Sequence, residues 1–80
     1  MKSYVVELPA DDLAAGERAR SAAEALAREG TVVRFVRSVH LPEFEICLLV
    51  FEASTPDAVD LAGRRAGLTY ARIVEGGCST

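Results

Sequence analysis

The sequence lacks the features by which several classes of protein are recognised. Among its 80 residues, nine basic side chains are outnumbered by twelve acidic ones, giving a net charge of −3. Nucleic-acid binding, by contrast, requires a net basic surface. No apolar run approaches the roughly 18 residues that a membrane-spanning helix needs. The first residues, Met1 to Glu7, contain neither the apolar core nor the small-residue cleavage site of a signal peptide. We therefore expect a cytoplasmic protein that binds neither nucleic acid nor a membrane.

Chemically reactive side chains are also scarce. The chain has one histidine and two cysteines, and in the cytoplasm Cys47 and Cys78 would stay reduced. Gly76 and Gly77 follow a predicted strand without opening a helix, so they do not predict a phosphate-binding loop. No catalytic constellation stands out, and the residues alone leave open whether the protein is an enzyme.

Apolar residues, in contrast, are abundant. They make up 50% of the chain, and the mean hydropathy is +0.18. A chain of this length buries only about two thirds of its unfolded surface, and small domains often compensate for a modest core by oligomerising. The composition therefore favours a self-associating domain.

Alternating apolar residues and turn signals predict four strands and two helices. The strands are predicted at 3–8, 31–41, 45–53 and 70–75, and the helices at 13–29 and 56–66. The order β-α-β-β-α-β is typical of the ferredoxin-like fold. We expect an α+β domain with an antiparallel sheet in the order 4-1-3-2 and both helices on one face, resembling a dimeric α+β barrel. Residues 1–76 would form this single domain, and residues 77–80 a flexible C-terminal tail.

Capping signals mark the ends of both helices. Asp11 or Asp12 is a candidate N-cap of the first helix, and Thr55 followed by proline is typical of the start of the second. Gly30 and Gly67 are candidate C-terminal stops, where glycine tolerates positive φ. The first helix presents one apolar stripe, formed by Ala19, Ala22, Ala23 and Leu26.

The second strand is mixed on both faces, as expected at the edge of a sheet. Strict alternation puts Val33, Phe35, Arg37, Val39 and Leu41 on one face, and Arg34, Val36, Ser38 and His40 on the other. The third strand is instead apolar on both sides and must be covered on both.

A second subunit is the expected cover for the side without helices. That side would present Val5, Val32, Val36, Ile46, Leu48 and Val50, or their alternates. Such a set is too apolar to face water as one large patch. We therefore expect a homodimer in which the two sheets pack face to face.

Charged residues on the strands form a candidate ligand-binding set. Glu7, Arg34 and Glu52 could converge between sheet and partner, and facing carboxylates with an arginine suit a small polar ligand or a proton transfer. Arg37 completes the set. The alternative interpretation is that these residues form interface salt bridges and solvated strand ends.

A metal site is a second possibility, centred on the turn between the second and third strands. His40, Glu43 and Glu45 lie close together in the sequence, and Cys47 follows. These side chains could ligate a transition metal, although their spacing matches no standard site. Alternatively, the turn residues serve solubility, and Cys47 is a nucleophile or a small buried hydrophobe.

Short motifs along the chain resemble one known family. They are Tyr4-Val5-Val6-Glu7, Val36-Arg37-Ser38-Val39, Cys47 with Phe51-Glu52-Ala53, Pro56-Asp57-Ala58-Val59, Arg64-Arg65-Ala66-Gly67 and Arg72-Ile73-Val74-Glu75. In their order and spacing they are similar to those of the small actinobacterial proteins described as nickel-binding, which share a domain of unknown function. The resemblance implies a ferredoxin-like fold, a dimer and a site for nickel or another transition metal.

The chain departs from that family at two positions. Many members carry one histidine where Arg37 stands and another where Ala62 stands. Cys47 matches the family's cysteine, and His40 is the remaining imidazole. A metal site would therefore have to draw on His40, Cys47 and Glu45.

Taken together, these patterns favour a small homodimeric protein that binds a small molecule or a metal, with no cofactor that the residues themselves demand. One alternative is a small dimeric α+β barrel enzyme, such as a cyclase, an isomerase or a cofactor-free oxygenase, in which Glu7, His40 or Glu52 acts as the base. The other is a protein-interaction module that uses the dimer surface or an open strand edge.

Overall fold

The order of strands and helices follows from the alternating and helical apolar patterns of the chain. The computed structural model describes residues 1–11, 14–70 and 72–76. Its elements are β1 (Lys2–Pro9), α1 (Ala15–Arg28), β2 (Val33–Leu41), a short 3-10 turn (Pro42–Phe44), β3 (Ile46–Ala53), α2 (Pro56–Arg65) and β4 (Arg72–Gly76). The strands form one antiparallel sheet in the order β2-β3-β1-β4. This confirms the predicted α+β, ferredoxin-like topology, while the predicted tail at 77–80 lies outside the described residues.

The core lies between the sheet and the two helices. From β1 it takes Tyr4, Val6 and Leu8, and from β3 it takes Leu49, Phe51 and Ala53, all at most 2% exposed. The predicted stripe of α1 is buried against them, because alanine lets a helix backbone approach a sheet closely. No helix in the described part of the chain is long and apolar enough to span a membrane.

The start of α2 and the ends of both helices have the caps that the sequence predicts. Thr55 Oγ1 accepts a hydrogen bond of 3.3 Å from the Ala58 N–H, so the predicted cap of α2 is confirmed. Gly30 and Gly67 have φ of +100° and +70°, and the amides after them bond back into the last helical turn, Thr31 to Leu26 and Leu68 to Gly63. These are Schellman-type ends. Because Thr31 belongs to this turn, β2 begins at Val33 and not at the predicted residue 31.

The predicted N-cap of α1 is wrong for Asp11. The helix begins later than expected, at Ala15, its N-cap position is Ala14, and no side chain caps it. The alternative, Asp12, lies outside the described residues.

A β-bulge at Val36 changes the two faces of β2. Phe35 is paired with Phe51, but the next pair is Arg37 with Val50, so Val36 is an extra residue without a partner of its own. The predicted strict alternation is therefore wrong after Phe35. Ser38 and His40 lie on the helix side of the sheet, and Arg37, Val39 and Leu41 lie on the other side. Bulges of this kind are common on edge strands, where they redirect side chains.

The sheet side without helices, called here the open face, has an apolar centre. A row of cross-strand partners crosses it: Arg37, Val50, Val5 and Val74. Leu48 and Ile46 continue this surface toward the β2–β3 turn, as predicted. Val32 precedes β2, and Val36 occupies the bulge; they are 51% and 40% exposed. The bulge extends this apolar surface by adding Val39 and Leu41 to it.

Candidate functional site

A cavity of about 300 Å³ lies between the first turns of α1 and the turn end of the β2–β3 hairpin. Its walls come from Ala10, from α1, from β2 and from β3; the α1 and strand residues are Gly16, Glu17, Arg20, Phe35, Ser38, His40 and Cys47. The centre of the helix side of the sheet is apolar and buried. This cavity lies at the turn end of that side, where polar and reactive side chains border the core.

The bulge at Val36 is what brings polar groups to this wall. If Val36 were paired regularly, Arg37, Val39 and Leu41 would follow Phe35 on the helix side, and the two positions nearest the turn would be apolar. Because Val36 is instead an extra residue, Ser38 and His40 lie on that side. The bulge therefore decides which β2 side chains line the cavity.

His40 and Cys47 are direct cross-strand partners on this wall. Such partners have Cβ atoms about 4.5–5.5 Å apart, so an imidazole and a thiol lie side by side. Cys47 is half-buried and His40 is exposed at the mouth. Imidazole and thiolate groups are both ligands that transition metals accept.

Arg20 covers the other side of the cavity. Its guanidinium carbon lies 5.5 Å from the centroid of the Phe35 ring, over its face. That ring is held edge-to-face against the buried Phe51, at 5.5 Å and 74°. Arg20 also contacts Glu17 Oε1 at 3.4 Å. Arg20 is therefore positioned by a ring that the core holds in place, and its acidic neighbour among the described cavity residues is Glu17, an exposed side chain of the same helix.

The structure gathers two of the three predicted metal ligands. Glu45 ends the 3-10 turn with a left-handed φ of 56°, and its carbonyl accepts a 3.0 Å hydrogen bond from the Ala10 N–H. It borders a separate depression beside Ile46 and Tyr70, not the cavity of His40 and Cys47. In the described ranges, no group of three or more His, Cys, Asp or Glu side chains is arranged to hold a metal ion.

The predicted ligand-binding residues lie on the open face, across the sheet from the cavity. Arg34 and Glu52 are cross-strand partners and form an ion pair. Glu7 instead pairs with Arg72, at 3.7 Å. Along β1, Glu7 lies four residues beyond Ser3, the partner of Glu52, and four residues of strand span about 13 Å. Glu7 and Glu52 therefore do not converge.

Arg37 stands next to this group without joining it. It lies on the same face as the Arg34–Glu52 pair, opposite Val50, and it is exposed. Among the described residues it has no ion-pair partner. The four predicted residues therefore lie in two separate parts of the open face: Arg34, Glu52 and Arg37 in one, and Glu7 in the other.

Sequence reasoning missed Arg20, Phe35 and Ser38 as cavity residues. Ser38 and His40 were placed together on one strand face, but on the side away from the helices, because nothing in the sequence marked the bulge. Arg20 lies outside the predicted apolar stripe of α1, so the sequence did not mark it as a wall residue. Gly16 and Arg20 are one helical turn apart, and this spacing is a sequence signal that could have placed these two residues on the same side of α1.

Tyr70 has a perturbed hydroxyl away from the cavity. Burial, together with the hydrogen bond that it donates to the Asp60 carboxylate, raises the pKa of Tyr70. Its ring packs on Gly63 of α2, and Asp60 is also paired with Arg64 at 3.0 Å. This cluster attaches α2 to the segment before β4, which is a structural role.

Comparison with known proteins adds support for the fold. No family model matches the chain, and neither does any curated protein. Among solved structures, the chain is similar to the one described as the crystal structure analysis of SCO4226 from Streptomyces coelicolor A3(2). The TM-score is 0.70 and the sequence identity 20%, over 98% of this chain and 99% of that one. At this identity the likeness establishes a shared fold over the whole length, with an actinobacterial protein as the structural neighbour.

Proposed function

We propose that this protein is a small homodimer that binds a small ligand in the cavity beneath α1. The observation that carries the proposal is the cavity of about 300 Å³ at the turn end of the helix side of the sheet, where Ser38, His40 and Cys47 form the wall in place of apolar side chains. Removing apolar packing from so small a core lowers stability. A binding role accounts for such an arrangement.

The open face supports the homodimer. Its centre, Val5, Leu48 and Val50, is only half-buried within one chain, while the ion pairs Arg34–Glu52 and Glu7–Arg72 lie toward its borders. An apolar centre with a charged rim is the usual anatomy of a protein interface. In a two-fold dimer the same patch serves both subunits.

Light scattering on the purified protein tests the dimer, with Leu48→Glu as the disruptive variant. We expect the wild type to be a dimer at micromolar concentration and the variant to be a monomer. Leu61→Glu is the matched control, because Leu61 is 43% exposed on α2, away from the open face, and should remain dimeric. A monomeric wild type, or a variant that stays dimeric, would rule the interface out.

A transition metal is one candidate ligand, because His40 and Cys47 lie opposite each other. Two donors are fewer than the three or four protein ligands of a typical zinc site, so the described residues do not complete a resident metal centre. Titration with nickel, zinc and copper by calorimetry tests this candidate. Binding should disappear in His40→Ala and Cys47→Ala, and the absence of heat with all three metals would exclude it.

An enzymatic role would have to use His40. Of the three bases considered for it, Glu7 and Glu52 lie on the open face and are held by arginines, whereas His40 borders the cavity. This distribution favours binding over catalysis as the function of the cavity.

A further inference from the structure

We propose that the cavity beneath α1 binds a small organic monocarboxylate, with Arg20 as the principal contact and Ser38 and His40 as additional donors. This inference rests on the proposed ligand-binding function and names the class of ligand. It is carried by how Arg20 is held, by which groups share the wall with it, and by the charge and volume of the cavity.

Arg20 is prepared to receive a carboxylate. The guanidinium carbon lies over the ring of Phe35, 5.5 Å from its centroid, and Phe35 is itself packed edge-to-face against Phe51. An arginine that contacts an aromatic ring in this way still has N–H donors for a carboxylate, in the fork that matches the two carboxylate oxygens. The present contact with Glu17 is long, at 3.4 Å, compared with about 2.7–2.9 Å for a strong charge-assisted hydrogen bond. Glu17 is 81% exposed, so an incoming carboxylate can replace it.

Ser38 and His40 provide further donors on the facing wall. The serine hydroxyl and a ring N–H of the imidazole can each donate to a carboxylate oxygen. The bulge at Val36 places both of them toward the helix. Gly16 borders the same space, and even a Cβ there would lie 3.5 Å from Ser38 Oγ. A larger side chain at position 16 would therefore occupy the cavity.

Charge and size restrict the ligand. Among the described residues, the wall has one cationic side chain, Arg20, and one acidic side chain, Glu17, so a single negative charge on the ligand can pair with Arg20, whereas a second would meet Glu17. The volume of about 300 Å³ is at the lower end of the range of ligand pockets. Ala10, Gly16 and Cys47 provide the less polar part of the wall for a compact organic body. These features favour a monocarboxylate over a phosphate or a dicarboxylate.

Sodium benzoate is a suitable probe, with benzamide as its neutral counterpart of the same shape and inorganic phosphate as the competing anion. Two-dimensional amide NMR of the full-length protein should show saturable benzoate shifts at Gly16, Arg20, Ser38 and His40. Benzamide and phosphate should bind at least tenfold more weakly than benzoate. If benzamide or phosphate bound as tightly as benzoate, the monocarboxylate assignment would be wrong.

Variants of the wall separate charge from shape. Arg20→Gln should weaken benzoate binding at least tenfold, Arg20→Lys should be intermediate, and Glu17→Gln should bind as well as or better than the wild type. Gly16→Leu should abolish binding by filling the space while leaving every donor in place. Arg28→Gln, at the far end of α1, is the matched control and should not change affinity. Unchanged binding in Arg20→Gln would overturn the proposal.

Failure of this inference is distinguishable from failure of the proposed function. If benzoate does not bind but nickel, zinc or copper does, and that binding depends on His40 and Cys47, the carboxylate assignment is wrong and the cavity still binds a ligand. If neither class of probe causes shifts at the cavity residues, both proposals fail. A native amide spectrum and melting temperature for each variant show that a loss of binding is not a loss of fold.

Discussion

The ring of Tyr70 lies directly against the backbone of Gly63. A Cβ at position 63 would come 2.6 Å from Cε1 and 3.2 Å from Cζ of that ring. The hydroxyl at the far end donates to Asp60, three residues earlier on α2. One aromatic side chain is thus held both at its face and at its tip, and it fits only because position 63 has no side chain.

Gly63→Ala should therefore destabilise the protein although it replaces a helical glycine by a better helix former. We expect a loss of about 1–3 kcal/mol, the usual cost of overpacking, in urea unfolding. Gly16→Ala is the matched control: it also lies in a helix, but its Cβ would have no neighbour closer than 3.5 Å. That variant should be neutral or stabilised by up to about 1 kcal/mol. Equal effects of the two substitutions would contradict the close contact.

The stability of the protein should fall in alkaline solution through Tyr70. Burial and the hydrogen bond to Asp60 raise its pKa in the folded state, so above the ordinary tyrosine pKa the unfolded chain loses its proton first. The linkage relation then makes the free energy of unfolding decrease as pH rises from that value through the folded pKa. Below the ordinary pKa the contribution is fully present.

Urea unfolding of the wild type and Tyr70→Phe across alkaline pH measures this effect, with tyrosinate absorbance as a second signal. The phenylalanine variant should lose this part of the alkaline slope. A slope identical in the two proteins would mean that Tyr70 ionises in the fold as it does in the unfolded chain.

Thr55→Ala should cost about 0.5–2 kcal/mol, the usual effect of removing an N-cap oxygen. Thr55 Oγ1 accepts the Ala58 N–H, and without it this donor has no side-chain partner. Thr55→Ser keeps the oxygen and should retain most of the stability. Ser54→Ala is the neighbouring control, since Ser54 is exposed and does not cap the helix. Thermal and urea unfolding should show that Thr55→Ala is the least stable of the three variants, that Thr55→Ser is more stable, and that Ser54→Ala is closest to the wild type.

Deletion of Val36 should be tolerated, which is unusual for a residue within a strand. Val36 has no cross-strand partner of its own, and its removal leaves Phe35 followed by Arg37 in regular pairing, with every later side chain on its present face. Amide NMR should show a folded protein that keeps the contact between His40 and Cys47. Deletion of Val50, in the central strand β3, is the comparison and should prevent folding. If neither deletion variant folded, Val36 would not be the unpaired residue that its position in the bulge indicates.

Local patterns predicted the order of the elements and the buried stripe of α1, because these features depend on residues close together in the sequence. The spacing of Ala19, Ala22, Ala23 and Leu26 and the cap at Thr55 are of this kind. The pairing of Glu7 with Arg72 was not predicted, because it depends on the register between β1 and β4. The cavity was missed for a related reason: a bulge leaves no mark in composition, and one extra residue reverses the direction of every side chain that follows it.

The bulge also determines how β2 should respond to mutation along its length. Before Val36, the odd-numbered residues Val33 and Phe35 contact the core; after it, the odd-numbered Val39 and Leu41 lie on the open face. In a scan with aspartate, the positions that reduce monomer stability and those that reduce self-association should therefore exchange parity at residue 36. A single strand thus contributes both to the core of one chain and to the surface proposed for self-association, and the unpaired Val36 separates the two parts.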